Sequence, residues 1–471
     1  MNEKEHIYLQ IANSVEHQIK SDVLKIGDKL PSLRTVAMEK GVSLTTAQRS
    51  YFELECRGLI ESRPQSGYYV SYAHKYFKNI PQTSQPIIAN VKGDTEEIIF
   101  TVSKNVSKAK IELSTGVPAI ELLPMAKMNK AIVNACRTLP DSGLNYDKYG
   151  NENLKKQIAV RSLMWGGNLA SEDILTTSGS IDGISFALLA LAEKGDTIAV
   201  ESPVYFGILH LARSLGLNVL ELPTNPVTGI EVDALKNALE KKKVKLCVLV
   251  SNFSNPLGCC MPEENKKAVV KLIENHNVPL IEDDLFGDLY FGKHRPTCCK
   301  TYDETGLVIL CSSFSKTLAP GYRVGWMVPG KFKEKIARIK YYHSLYTASI
   351  THEAIGRFLE NDRYENHLRK LRHTLHRNSL QFLRALSQYF PDSTKATIPQ
   401  GGLHLWVELN KNTNTVDLYN TAMANKISIA PGRMFTLQNQ YNNCFKLNFG
   451  LLWNNKVEGA LKLLGKLSGQ L

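Results

Sequence analysis

Five short polar clusters hold the residue types that could do chemistry in this chain. Ser312-Ser313-Phe314-Ser315-Lys316 sets a lysine amine among hydroxyls, and Arg323 follows seven residues later. Glu282-Asp283-Asp284-Leu285-Phe286 offers adjacent carboxylates. Asn255 lies in Ser251-Asn252-Phe253-Ser254-Asn255-Pro256-Leu257-Gly258, and Tyr205 closes Glu201-Ser202-Pro203-Val204-Tyr205. Thr177-Ser178-Gly179-Ser180 precedes an apolar helix that begins near Ile181, an arrangement whose free N–H groups cradle a phosphate. Each cluster alone is ordinary, since a Ser-x-x-Lys recurs by chance and an Asp-Asp after a strand is usually a solvated turn. Their order and spacing carry the signal.

Together they meet the needs of pyridoxal 5'-phosphate. That cofactor requires an amine for a Schiff base, which Lys316 supplies. Its ring nitrogen requires a carboxylate, Asp283, and its phenolic oxygen a donor, Asn255. Its ring requires an aromatic face, Tyr205. Its phosphate requires N–H groups and a cation, met by Gly179, Ser180, Ile181 and Arg323 with help from Ser313. Asp284 reads as a structural neighbour. No C-x-x-C occurs among the nine cysteines, two pairs of which are adjacent, so neither a zinc ribbon nor a disulfide framework fits and no metal is expected.

The elements that must position these groups are short apolar runs alternating with amphipathic helices. Thr197–Val200, Val219–Leu222, Leu246–Val250, Pro279–Ile281 and Val308–Leu310 read as buried strands, and Ile184–Ala192 and Lys266–Asn275 as helices between them. This is α/β architecture with a mainly parallel sheet, in which ligands gather at the carboxyl ends of strands. The polar clusters fall at those ends. Lys241-Lys242-Lys243 reads as the solvated end of the helix over Ala234–Leu239.

The strings S-G-S, E-x-P-x-Y, N-P-x-G, D-D-x-aromatic and S-x-S-K with its arginine resemble the fold-type I aminotransferases, over about residues 111–471. The resemblance implies a large domain with a mainly parallel central sheet and a smaller C-terminal α+β subdomain. It implies that Tyr146, in Asn145-Tyr146-Asp147-Lys148-Tyr149-Gly150, reaches the cofactor phosphate of a neighbouring subunit, so that the site is assembled in a homodimer. Two positions depart from the enzyme pattern. Phe286 stands where the enzymes commonly carry a tyrosine that donates to the phenolic oxygen. Lys446, in Cys444-Phe445-Lys446-Leu447-Asn448, stands where an arginine grips a carboxylate, and lysine lacks the bidentate fork. The plainer alternative for Lys446 is a surface lysine on a strand edge.

Residues 1–72 read as a separate unit. Tyr8, Ile11, Ala12, Val15 and Ile19 recur at helical spacing. Pro31-Ser32 opens a second helix that ends at Gly41, and Ser43 caps a third with Ala47, Tyr51 and Leu54 buried. Leu59–Ser62 and Tyr68–Val70 then form a hairpin around Arg63-Pro64-Gln65-Ser66-Gly67. This is a winged helix-turn-helix, in which Ser32, Arg34, Ser43, Thr45, Thr46, Gln48 and Arg49 are placed for a major groove and Arg63 for the wing tip. A helical interaction module that never touches DNA is the alternative, because residues 1–75 hold ten Lys/Arg against nine Asp/Glu. The strings Asp28-Lys29-Leu30-Pro31-Ser32-Leu33-Arg34, Gly41-Val42-Ser43, Thr46–Tyr51 and Ser66–Val70 resemble the GntR family of bacterial repressors, which implies binding to double-stranded operator DNA.

Residues 73–110 lose periodicity around Pro81 and Pro86 and read as an interdomain linker. The chain has 471 residues, 43% hydrophobic and 22% charged, with net charge +12, values that disfavour disorder and admit acidic partners. No apolar run is long enough for a membrane span and Met1–His6 lacks an apolar signal core, so cytoplasmic residence is expected.

The combination of head and body resembles the MocR subgroup of GntR-type transcription regulators. It implies a regulator whose body binds pyridoxal phosphate and a small amino compound, in a homodimer with heads exchanged head-to-tail. The runner-up is an active aminotransferase with a secondary DNA-binding head. A third reading, a DNA-binding protein with a cofactor-free body, leaves the phosphate, ring and amine partners unexplained.

Overall fold

A computed structural model describes residues 6–63, 66–71, 79–87, 95–148, 150–241, 244–360 and 363–470. Pro64 and Gln65 of the wing, His74, Lys75 and Lys78 of the expected linker, Tyr149, and Lys242-Lys243 lie outside the described residues.

The head is three helices and a hairpin: α1 (Ile7–Lys20), α2 (Leu33–Glu39), α3 (Leu44–Cys56), β1 (Ile60–Arg63) and β2 (Gly67–Val70). Ser32 Oγ accepts from Thr35 N at 3.1 Å and Ser43 Oγ from Thr46 N at 3.1 Å, so each hydroxyl starts its helix by satisfying an orphan N–H. Gly41 turns the chain between α2 and α3 at φ +62°, a left-handed conformation that disfavours a side chain. Ala12, Ala47, Tyr51 and Leu54 are fully buried and make the head's own core with Ile11, Leu30, Val36, Ile60 and Val70. The Tyr51 hydroxyl donates to Pro31 O at 2.9 Å, pinning α3 to the start of α2.

The expected linker is more structured than its sequence suggests. Residues 79–87 lie extended against the body. Ser84 N donates to Thr224 O, Thr224 N to Ser84 Oγ, and the amide of Gln438 exchanges hydrogen bonds with the backbone of Ile87. Residues 96–105 form a helix, α4 (Glu96–Asn105), that buries Val102 and packs Ile98 and Ile99 on the body core. The run Ile98-Ile99-Phe100 hides this helix, because its buried stripe is one turn wide and Phe100 faces solvent. The body therefore starts before residue 111.

In the body, β3 (Ile111–Glu112) is followed by β4 (Leu175–Thr177), β5 (Thr197–Ser202), β6 (Asn218–Asn225), β7 (Gly229–Ile230), β8 (Leu246–Leu249), β9 (Leu280–Asp283), β10 (Val308–Ser313) and β11 (Gly325–Val328). The last eight form one sheet in the order β4-β11-β10-β9-β8-β5-β6-β7. Strands β10, β9, β8, β5 and β6 are mutually parallel, and β11 runs antiparallel between β10 and β4. Their buried Val, Ile and Leu residues are covered by helices on both faces, the condition for a parallel sheet. Then β12 (Lys395–Ala396), β13 (His404–Glu408), β14 (Ile427–Ser428), β15 (Ala430–Pro431) and β16 (Cys444–Asn448) complete the smaller subdomain, with β12-β13-β16-β15 antiparallel. Strand β14 pairs with β3, which returns the chain from α4 to this subdomain.

The helix Arg363–Tyr389 joins the two subdomains and carries the head. Phe52 of α3 stacks on His373 at 4.3 Å, and Glu61 of β1 accepts from Arg384 at 3.0 Å. A β-carbon on Gly58 would press on Leu380 at 2.9 Å, so the turn after α3 approaches that helix closely.

Candidate functional site

The carboxyl ends of β5, β8, β9 and β10 open onto a cavity of about 410 Å³. Ser180, Ile181, Tyr205, Asn255, Asp283, Phe286, Ser313, Lys316, Arg323 and Lys446 all line it. Ten expected positions from six separate stretches thus converge. Parallel register explains part of this: Asp283 ends β9 opposite Cys311 of β10, and the chain then delivers Lys316 just beyond β10.

Gly179 has φ +114° and precedes the helix Ser180–Leu191. A β-carbon there would lie 2.5 Å from Arg323 Nη2, so the guanidinium sits directly over this helix start. Gly325 packs on the backbone of Gly179 from the neighbouring strand, where a β-carbon would also fall at 2.5 Å. Asp182 holds the turn by accepting from Ser178 N at 3.0 Å. N–H groups of a helix start beside an exposed guanidinium are an arrangement able to hold an anion, and only a glycine leaves it open.

Burial and neighbouring charge set the protonation of the polar groups around the cavity. Asp283 is buried, and its Oδ1 has no hydrogen-bond partner. Burial, reinforced by Asp284 and opposed by Lys316, pushes its carboxyl up to about 7. Burial lowers Lys316 to about 8, with Asp283 opposing and Arg323 adding to the shift, so its amine loses its proton far more readily than an exposed lysine does. Asn255 Oδ1 and Ser315 Oγ are also buried without partners. Asp284, one residue from Asp283, is fully engaged by Asn252 Nδ2 at 2.8 Å and by Arg295. Adjacent carboxylates therefore do different work: one braces the loop and the other faces the cavity.

Lys446 is 2% exposed and lines the cavity wall, so it is not a surface lysine on a strand edge. Phe286 is likewise buried, and its ring meets His404 edge-on at 5.0 Å. Tyr146 does not join the cavity: it is 66% exposed, with its ring 5.3 Å from that of Tyr346. Residues not anticipated from sequence also line the site. Val102, Ser103 and Val106 come from α4 and its extension, Ser114, Thr115 and Gly116 from the segment after β3, and Phe206 and Met434 from elsewhere. Polar side chains spaced along sequence gave no hint of them, because they act as walls. Among the described residues no group of three or more His, Cys, Asp and Glu side chains could hold a metal ion, and no helix is long and apolar enough to cross a membrane.

In the head, Arg34, Thr45, Gln48 and Arg49 stand at the surface, and Thr46 is half-buried. Ser32 and Ser43 are committed to capping and bond Thr35 and Thr46 side chains at 2.7 and 2.8 Å. They position their helices and leave the arginines and Gln48 to face a partner. Arg49 lies over the Tyr8 ring at 5.7 Å. Arg63 is less free than expected, pairing with Glu61 at 2.8 Å and resting on Tyr69 at 4.2 Å.

Residues 108–462 match the family described as aminotransferase class I and II, and residues 7–70 match the bacterial regulatory proteins of the gntR family. The uncharacterized HTH-type transcriptional regulator YjiR of Escherichia coli K12 is 34% identical over 461 residues, covering 98% of each chain. The HTH-type transcriptional regulator NorG of Staphylococcus aureus USA300 is 28% identical over 437 residues, covering 92% of this chain and 98% of its own. Among solved structures, LysN, an alpha-aminoadipate aminotransferase of Thermus thermophilus complexed with N-(5'-phosphopyridoxyl)-L-leucine, superposes with a TM-score of 0.73 at 25% identity. That match covers 81% of this chain and 96% of LysN.

Proposed function

Because this chain belongs to the class I and II aminotransferase family and carries a gntR-family head, we propose that it is a transcription regulator that binds pyridoxal 5'-phosphate and reads an amino compound. The observation that carries this reading is the pair Asp283 and Lys316. A buried carboxylate with an unpartnered oxygen and a buried amine face one cavity, in a chain whose third helix presents Arg49 and Gln48 to solvent.

The residues present fit the cofactor. The Gly179 cradle under Arg323 would take its phosphate, Asp283 its ring nitrogen, Asn255 its phenolic oxygen and Tyr205 a ring face. When bound, the cofactor supplies a carbonyl that condenses with amines and a ring that withdraws electrons. Lys316 Nζ, poised near 8, offers both a neutral nucleophile and a group able to accept a proton. Lys316 favours the charged form of Asp283 against the burial that raises it. Phe286 gives no hydroxyl to orient the ligand. Lys446 gives charge without a fork, so ligand capture is favoured over fast proton transfer, which needs a firmly oriented carboxylate.

On this reading the head, residues 1–72, binds operator DNA through Arg34, Thr45, Thr46, Gln48 and Arg49, with Ser32 and Ser43 setting the helices and Arg63 at the wing. The connector runs to the body, and the protein works in the cytoplasm as a homodimer. Exposed Leu144 and Tyr146, with Ile120, Met125 and Val133, supply an apolar surface for the second subunit. In the single chain the head rests on its own body, and exchange of heads in the dimer would move the same α3 face onto a partner. The ligand would bias the poise of head and body by differential binding to two states.

The test is twofold. The cofactor-loaded protein should retard DNA from its own promoter region, with affinity changed by an amino compound, and should show negligible multiple-turnover keto-acid production. Turnover near about 10 per second, an ordinary enzyme rate, would favour an aminotransferase instead.

A further inference from the structure

The long helix Arg363–Tyr389 has two working faces. At about 3.6 residues per turn, His373, Arg377, Leu380 and Arg384 form one narrow stripe, and Tyr364 lies opposite it with His367 one turn further along. The stripe meets the head: Phe52 stacks on His373, Gly58 packs on Leu380 and Glu61 bonds Arg384. Tyr364 and His367 instead grip the residue that follows Lys316. The buried Tyr364 hydroxyl bonds Thr317 Oγ1 and Asp288 Oδ2, each at 2.9 Å. His367 Nε2 donates to Thr317 O at 2.7 Å. A carbonyl only accepts, so the proton of the neutral ring sits on Nε2.

Thr317 is 2% exposed and is held by its hydroxyl and its carbonyl at once, from a single helix. The anchor behind Tyr364 is firm. Arg295 Nε donates to Asp288 at 2.7 Å, and against the cost of burial Arg161 and Arg295 hold that carboxyl well below the usual carboxylate range. On its other side the same loop presents Ser313, Ser315 and Lys316 to the cavity. A small space of about 30 Å³ lies behind the loop, against Ser313, Thr317, Asp288 and Arg161, and gives it room to shift. The seat of the head is incomplete as well. Arg377 Nε is buried without a hydrogen-bond partner, close enough to the buried Glu55 of α3 for its charge to be felt there. Buried polar atoms are nearly always paired, so this orphan marks a contact that a small movement of helix against head completes.

We propose that Tyr364 and His367 are positioning residues for Lys316, acting through Thr317, and that the long helix passes a displacement of the lysine loop to the head on its far side, one helix thickness of about 10 Å away. This rests on the cofactor and regulator reading above and names its moving part. A close-packed helix shifts as a body rather than bending locally, so a latch on one face is felt along the other. Whatever engages Lys316 loads the loop, and the stripe from His373 to Arg384 reports it. Coupling of this kind is reciprocal: DNA on the head changes cofactor binding at Lys316 by the factor by which the cofactor changes DNA binding.

The experiment uses the full chain and a double-stranded fragment of its own promoter region. Pyridoxal phosphate is titrated by absorbance with and without the DNA, and the DNA is titrated with and without the cofactor. The two affinity ratios should agree and be at least about fivefold. His367→Leu should bring the ratio close to one while cofactor and DNA each still bind. His367→Gln, which keeps a side-chain N–H for Thr317 O, should restore most of the ratio, a rescue that a loss of packing alone would not give. Tyr364→Phe should reduce the ratio. In the parent chain, with no variant that must fold, cofactor binding should slow backbone hydrogen exchange over residues 363–384. A ratio near one in the parent chain with both ligands bound would overturn the latch, as would a ratio unchanged in His367→Leu or unchanged exchange in the helix. Failure of pyridoxal phosphate to bind would instead overturn the cofactor reading, and failure of the DNA to bind the regulator reading, and the latch falls with either.

Discussion

The head and the body handle their polar groups in opposite ways. In the head, the hydroxyls of Ser32 and Ser43 cap helices, Tyr51 bonds the backbone of Pro31, and Thr45, Gln48 and Arg49 of α3 stand in water. In the body, Asp283 Oδ1, Asn255 Oδ1 and Ser315 Oγ are buried and unpaired around one cavity. A surface that meets DNA must be complete before its partner arrives, because water satisfies it in the meantime. A closed site for a small ligand can hold groups in deficit, since the ligand completes them. Orphaned buried atoms that gather on one cavity thus mark the body's candidate site, and exposed polar side chains on a capped helix mark that of the head.

That contrast can be broken most severely at Lys316. Lys316→Ala should abolish covalent attachment of pyridoxal phosphate, read as loss of a borohydride-fixable adduct by mass spectrometry, while DNA binding by the head persists in some form. A fully retained adduct would remove the lysine from its assigned role.

The next effect concerns stability. Lys446 is held down to about 7 from 10.5, mainly by burial and then by Lys316. A lysine with a depressed folded value contributes stability that is present above pH 10.5 and lost as pH falls through about 7. Without ligand, Lys446→Met should therefore be more stable than the parent chain, by about 1–4 kcal/mol near and below neutrality. The advantage should vanish towards pH 10.5, as measured by thermal unfolding across that range. A less stable variant at pH 6 would mean that the ammonium has a partner after all.

The head should respond through the solvent-facing end of α3. Arg49→Ala should weaken binding to every DNA sequence by about 1 kcal/mol and lower the salt slope by about one unit, as expected for a lost phosphate contact. Loss confined to one sequence would assign Arg49 to a base edge instead. The smallest effect belongs to the contact between the two regions. Arg384 is 39% exposed where it meets Glu61, so Arg384→Ala should cost less than about 1 kcal/mol in unfolding. A larger change in DNA affinity than in stability would show that this contact sets the poise of the head.

Local chemistry decided what could be read without tertiary structure. Helix caps, the glycine turn at Gly41, the buried stripe of α3 and the apolar strands are written in spacing, because each depends on neighbours a few residues away. The convergence of the polar clusters was legible for a related reason: a parallel sheet places the loop after each strand at one end, so Tyr205, Asn255, Asp283 and Lys316 meet wherever those strands pair. Tertiary structure alone decided the rest. Helix α4 looked like linker because its amphipathic stripe is one turn wide and is stabilised by packing on the body, not by its own pattern. Gly116 and His404 carry no motif, and they meet because Asn448 straps one segment across the face of another. Lys446 could be a surface or a buried residue by sequence, and burial, a property of what folds over it, set it on the cavity wall and lowered its hold on a proton.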